Sequence, residues 1–110
     1  MTEKPSAIRN LGPASDTFYA RAGITTADEI RALGPDEAYC RALIAGGRPH
    51  FIGYYVLVMG LQGRPWNDCK GEEKAALKKR FAAIKTRAAE AGPADSAIDR
   101  ALREIGVVDL

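Results

Sequence analysis

Cysteine, histidine and tryptophan are nearly missing from this chain. In 110 residues there are two cysteines, one histidine and one tryptophan. A structural zinc site takes about four nitrogen or sulfur ligands. Cys40, Cys69 and His50 are too few and follow no ligand spacing, so neither a metal nor another cofactor is expected. No glycine loop of phosphate-binding spacing occurs. The opening residues Met1 to Ser6 contain no apolar leader, which makes a cytoplasmic protein with reduced thiols the expectation. No run approaches the roughly 20 apolar residues that a membrane span needs, so no membrane role is expected. A formal net charge of +2 is too small to mark a nucleic-acid binder.

Catalytic constellations are scarce as well. A Cys–His pair would need His50 beside Cys40 or Cys69. Cys69 lies near a helix start, where a thiol can become more acidic, but His50, next to Pro49, reads as a surface or capping residue. The carboxylates fall in first turns of helices, where capping explains them. The expectation is a protein without enzymatic activity.

What the chain does have is Phe51-Ile52-Gly53-Tyr54-Tyr55-Val56-Leu57-Val58-Met59-Gly60-Leu61, a stretch without a single charge. A helix apolar all round is a buried one. A strand is the alternative, since Tyr, Val, Ile and Phe favour sheets, but strands usually run about 5–6 residues and no second strand-like run is there to pair. The reading is an all-α protein, a compact bundle of five to six helices around a central helix at 51–61. Residues 1–92 form one domain, and residues 93–110 add a helix and tail.

Ahead of the central helix a six-residue motif occurs twice. Ile8-Arg9-Asn10-Leu11-Gly12-Pro13 returns as Ile30-Arg31-Ala32-Leu33-Gly34-Pro35. Each copy leads into a helical pattern: Ala14, Phe18 and Ala22 up to Gly23, then Ala38, Tyr39, Ala42 and Leu43 up to Gly46. Glycine turns the chain and proline starts the next helix with φ already set. Thr26-Ala27-Asp28-Glu29 reads as a capping box opening a short helix that ends near Leu33. Helix, Leu-Gly-Pro turn, helix is the order of a helix-hairpin-helix unit, which presents free N–H groups to phosphates. The usual hairpin has two glycines; Asn10 and Ala32 occupy the first of those places. Arg9, Gly12, Arg31 and Gly34 are the candidate phosphate contacts, and both glycines are expected at positive φ. The alternative is a purely structural turn.

Past the central helix, Gly63 and Pro65 stop the chain from continuing it. Trp66 reads as an anchor between helices, with Asn67 or Asp68 capping the next one; the alternative places Trp66 and Arg64 on a contact surface. Glu72 and Glu73 open a long helix whose core stripe is Leu77, Phe81, Ile84 and Ala88. Residues 64–90 carry eight basic against four acidic groups. Lys74, Lys78 and Lys85 share one face, either a solvated one or a docking surface for nucleic acid or an acidic protein. Gly92-Pro93 ends this helix. A last helix from Ser96, burying Ile98, Ala101, Leu102 and Ile105, would fold back on the domain or form a homodimer.

Ile8 to Ser15, then Ala22-Gly23-Ile24, then Trp66-Asn67-Asp68 ahead of Glu72-Glu73-Lys74 together resemble the C-terminal domain of the TfoX/Sxy proteins, bacterial regulators associated with natural competence. The resemblance runs from about Ser6 to Phe81. It implies an all-α domain of helix-hairpin-helix character. It also implies a role in transcriptional regulation through a protein partner of the transcription machinery, with direct DNA-backbone binding as the alternative. Longer members carry an N-terminal α+β domain that these 110 residues do not include.

Overall fold

The capping box forms as the sequence predicts. The Glu29 backbone N–H donates to Thr26 Oγ1 at 3.1 Å, and the Thr26 N–H donates to Glu29 Oε1 at 3.1 Å. In the computed structural model, which describes residues 2–91, this box starts the second of five α-helices. They are α1 (Pro13–Ala20), α2 (Ala27–Leu33), α3 (Pro35–Ile44), α4 (Phe51–Leu61) and α5 (Gly71–Ala91), with 3₁₀ turns at Pro5–Ala7 and Trp66–Asp68. The described residues contain no strand, and the fold is all-α. The helix expected from Ser96 lies outside the described residues.

The charge-free stretch is helical from Phe51 to Leu61, the bounds its composition predicts. Tyr54, Leu57 and Met59 are fully buried. Enclosure is not complete, however, because Ile52 is 55% exposed. The helix that touches all the others is α3, not the charge-free one expected at the centre: α5 packs on both α3 and α4, α1 and α4 pack on α3, and α2 bridges α3 and the first 3₁₀ turn. The predicted stripe of α5 is buried at Leu77, Phe81 and Ile84, and Ala88 packs against its edge. In α3, Ala38, Tyr39 and Ala42 are buried as expected, joined by Cys40. In α1 the stripe shifts by one residue. Tyr19 is the core side chain, while Phe18 is partly buried and Ala14 is exposed.

The two copies of the repeat keep their ends and differ between them. Ile8 and Ile30 are both buried, and Pro13 and Pro35 each occupy the first helical position. Between those ends, Ile30 to Leu33 is helix, whereas Ile8 to Leu11 is a loop. The positive φ therefore falls in different places. Gly34 has φ 84°, as expected, but Gly12 has φ −107° and the left-handed residue of the first copy is Asn10, at 75°. Asn tolerates that conformation better than other side chains, and here its amide is also used: it donates to the carbonyls of Val56 (3.3 Å) and Arg64 (2.9 Å). Asn10 thus stitches the first loop to α4 and to the chain that follows it.

Two glycines let α4 be approached closely. A Cβ on Gly60 would run into the Arg9 carbonyl oxygen, and one on Gly53 would stand 3.4 Å from the Tyr39 hydroxyl. Gly60→Ala should therefore destabilise the protein by about 1–3 kcal/mol through overpacking, outweighing the roughly 0.5–1 kcal/mol that alanine gains within a helix. At the turns, Gly34→Ala should cost about 1–2 kcal/mol, and Gly12→Ala, at an ordinary φ with open space around it, close to nothing. Urea denaturation of the three variants checks both statements; equal midpoints for Gly12→Ala and Gly34→Ala would contradict the second.

Candidate functional site

Apart from the exposed Lys79, the basic side chains of α5 divide into two rows. Arg80 and Arg87, seven residues apart, face α3. Arg80 donates to both carboxylate oxygens of Asp36, Nε to Oδ2 at 3.0 Å and Nη2 to Oδ1 at 2.7 Å. Arg87 donates to Glu37 at 2.8 Å, and Glu37 also accepts from Arg41 at 2.8 Å. The Tyr54 hydroxyl of α4 donates to the same Asp36 at 2.5 Å. One carboxylate in the first turn of α3 therefore ties three helices together. Burial alone would push the Asp36 carboxyl up, but the hydrogen bonds from Arg80 and Tyr54 outweigh it and hold it below the usual range. Burial, with Asp36 beside it, pushes the Tyr54 phenol well above its ordinary value.

The second row is lysine. Lys74, Lys78 and Lys85 lie over aromatic rings: Lys74 over Tyr55 at 5.4 Å, Lys78 over Phe51 at 5.9 Å and Lys85 over Phe81 at 4.8 Å. Each ammonium gains a cation–π contact while its charge stays in water. Among the described residues none of the three pairs with a carboxylate. Of these rings only Phe81 lies among the lysines in the linear sequence; the other two, Tyr55 and Phe51, come from α4.

The remaining sequence candidates fall elsewhere. Arg64 is bound in place: its two terminal nitrogens donate to the two Glu73 oxygens at 2.8 and 2.9 Å, and it also reaches Gln62 and Asp68. Its hydrogen-bonding capacity is spent within the fold, and Asp68 serves Arg64 where the sequence suggested a cap for α5. Arg31 pairs with Asp28 at 2.9 Å. Arg9 is exposed on the first loop, beside Gly12. Gly34 does precede the start of α3, but the first turn there holds Asp36 and Glu37, whose charges already occupy the positive end of the helix dipole. A phosphate would meet two carboxylates at that hairpin.

Trp66 is 50% exposed, so it is not the buried anchor expected of it. It stands in the turn between α4 and α5, at the Lys74 end of the lysine row. Ile52 lies one helical turn before Tyr55, whose ring is under Lys74. These two are the exposed large apolar side chains of the described residues. Nothing in the periodicity marks them, because exposure depends on what the neighbouring helices fail to cover.

The thiols are not arranged for chemistry. Cys40 and Cys69 are buried and unpaired with each other, and burial pushes both thiols up, which removes the activation that a helix start would give Cys69. His50 is exposed and holds its place through its backbone: its N–H donates to the Tyr39 hydroxyl, which in turn donates to the His50 carbonyl. Among the described residues, no three His, Cys, Asp or Glu side chains gather where a metal could sit. No helix there is long and apolar enough to cross a membrane.

The arrangement is that of an all-α module with a glycine–proline hairpin at its second and third helices and no catalytic constellation among the described residues. The family model of the TfoX C-terminal domain matches residues 1–81, and the chain belongs to that family. Comparison with curated proteins and with solved structures finds no match.

The Asp36 junction gives a pH prediction. A carboxyl depressed in the folded state contributes stability that is whole above its unfolded value, about 3.9, and is lost as pH falls through the folded value. Asp36→Ala should cost about 1–2 kcal/mol at pH 7, at the low end for charged hydrogen bonds because Arg80 is half in solvent. The difference from the wild type should shrink as the pH drops below about 4. Thermal melts of both proteins between pH 7 and 2.5 test this; a difference independent of pH would contradict it.

Proposed function

We propose that this chain is a non-catalytic regulatory module that acts in the cytoplasm by docking a protein of the transcription machinery. The docking face runs along α4 and α5: Trp66, Ile52 and the lysines Lys74, Lys78 and Lys85. The observation that carries this reading is that Trp66, in the turn leading into α5, is half exposed, and that Lys74, Lys78 and Lys85 of α5 pair with no carboxylate among the described residues. Aromatic side chains at a contact supply most of its binding energy, and surrounding charges steer the partner. A row of ammonium groups flanked by a tryptophan and an isoleucine fits an acidic surface with an apolar centre. Membership of the TfoX C-terminal domain family supports the regulatory part of the reading.

Direct DNA-backbone binding is the second reading, and the lysine row is the observation in its favour. Against it stand Asp36 and Glu37 at the Gly34 hairpin and the engagement of Arg64 and Arg31 in internal pairs. The row alone would make few phosphate contacts.

Binding of the purified chain to the host RNA polymerase, and separately to random-sequence duplex DNA, distinguishes the two. On the protein-docking reading, Trp66→Ala weakens polymerase binding by about tenfold or more, a hot-spot effect, and DNA is not bound at about 50 mM salt. DNA binding that survives Trp66→Ala and falls steeply with salt, by about 0.9 in log–log slope per phosphate neutralised, would replace the first reading with the second.

A further inference from the structure

On the side of α4 that faces away from α5, the fold leaves a cleft of about 590 Å³. Its walls come from α1, from the Gly46–His50 loop between α3 and α4, and from α4 itself. Phe18, Leu11 and Val56, all partly buried, give it an apolar floor with the buried Tyr39 beneath, and the exposed Arg21 and Arg48 also line it. The volume lies in the range of small-molecule sites, about 300–1,000 Å³, which are typically apolar with a few fixed polar groups.

Three features shape the cleft. Gly47 packs so tightly that a Cβ there would strike the Phe18 ring and the Ala42 carbonyl, at 2.5 and 2.9 Å. The loop therefore lies flat against α1 and sets one wall. Gly53 lets Tyr39 pack closely against α4, and the ring is fully buried there. Phe18 stands 5.4 Å from it at an interplanar angle of 40°, so the partly buried Phe18 ring rests on a buried one. The Tyr39 hydroxyl is occupied on both sides by the His50 backbone, so Tyr39 supports the floor from below and offers the cleft no free polar group.

The charge at the edge has one sign. Among the described residues neither Arg21 nor Arg48 pairs with a carboxylate, in contrast to Arg31, Arg41, Arg64, Arg80 and Arg87, all of which do. No Asp or Glu lines the cleft. Guanidinium groups are planar donors that match carboxylates and related oxyanions. An apolar floor presenting one aromatic ring, Phe18, beside two unneutralised guanidiniums selects an apolar body carrying one acid group.

From this juxtaposition we propose that the α1–α4 cleft binds a small anionic aromatic molecule, its apolar body on Phe18, Leu11 and Val56 and its acid group toward Arg21 and Arg48. This site is separate from the lysine row, which lies over Tyr55, Phe51 and Phe81, and it stands whether or not the docking face is correct.

The probe is 8-anilinonaphthalene-1-sulfonate, titrated by fluorescence and calorimetry against the intact chain, with the uncharged N-phenyl-1-naphthylamine as control. The expected result is one site per chain, weakened tenfold or more for the sulfonate by the double substitution Arg21→Gln/Arg48→Gln. The same change should leave the uncharged probe unaffected. Lys74→Gln/Lys78→Gln should leave both unaffected, which separates the cleft from the cation–π row. Ala14→Trp, at an exposed helical position on the cleft wall, should block both probes, and it decides the matter if the arginine double variant fails to fold. Absence of saturable binding, sulfonate affinity unchanged by the arginine variant, or equal losses in the arginine and lysine variants would each overturn the proposal. So would unchanged binding of both probes by a folded Ala14→Trp protein.

Discussion

A helix without a charged side chain needs cover over most of its surface, and α4 imposes that demand on its neighbours, which leave only Ile52 exposed. Its own sequence offers neither charge nor capping side chain to orient it: His50 at its start makes no side-chain cap, and neither first nor last turn carries a charge. Orientation comes instead from contacts that only certain residues allow. Gly60 admits the Arg9 carbonyl, Gly53 admits Tyr39, and Tyr54 reaches Asp36. Each fixes α4 to a different neighbour, the first loop, α3 and the α3–α5 junction. Apolar burial supplies the driving force but is non-directional. The glycines and the tyrosine hydroxyls supply the direction.

The same division of labour explains what could be read from the sequence. Features set by local periodicity or by hydrogen bonds within four residues were legible: the charge-free helix at 51–61, the Thr26–Glu29 capping box, and the Leu77, Phe81, Ile84 stripe. Features set by long-range pairing were not. Asp36 and Arg80 are 44 residues apart, and Asn10 and Arg64 are 54 apart. The sequence alone ranks Arg64 and Lys74 as equal candidates for a partner surface. Only the fold shows that a carboxylate at position 73 engages one of them while a tyrosine ring lies beneath the other. The repeat misleads for a similar reason. Its glycines look equivalent, but the left-handed turn can be made either by Gly34 or two places earlier by Asn10, and the choice depends on whether a helix precedes it.

The choice of arginine or lysine along α5 follows the structural task. Toward α3, where two carboxylates must be held at fixed positions, the chain uses arginine, whose planar fork gives two parallel hydrogen bonds to Asp36. Over Tyr55 and Phe51 of α4 and over Phe81 of its own stripe it uses lysine, whose stem packs on the ring while the ammonium stays hydrated. Only Arg80 does both tasks, lying over the Tyr54 ring at 5.9 Å while it holds Asp36. The arginines on this helix are thereby neutralised and the lysines are not. A single helix thus carries both the electrostatic cross-links of the fold and the unneutralised charge available to a partner.

That separation bears on how the domain can meet other molecules. The hairpin that might have offered backbone N–H groups to phosphate instead holds Asp36 and Glu37, and these are the acids that anchor α5. Removing them to make the hairpin attractive to phosphate would release Arg80 and Arg87 and loosen the contact between α3 and α5. The fold is therefore in conflict with anion binding at its second hairpin, whereas nothing in the packing opposes contact along the lysine row or entry of an acid between Arg21 and Arg48. Lys74, Lys78 and Lys85 on one side of the α4–α5 pair and Arg21 and Arg48 at the cleft are free of carboxylates among the described residues, whereas Arg41, Arg80 and Arg87 are paired at the α3–α5 seam and Arg64 in the turn between α4 and α5.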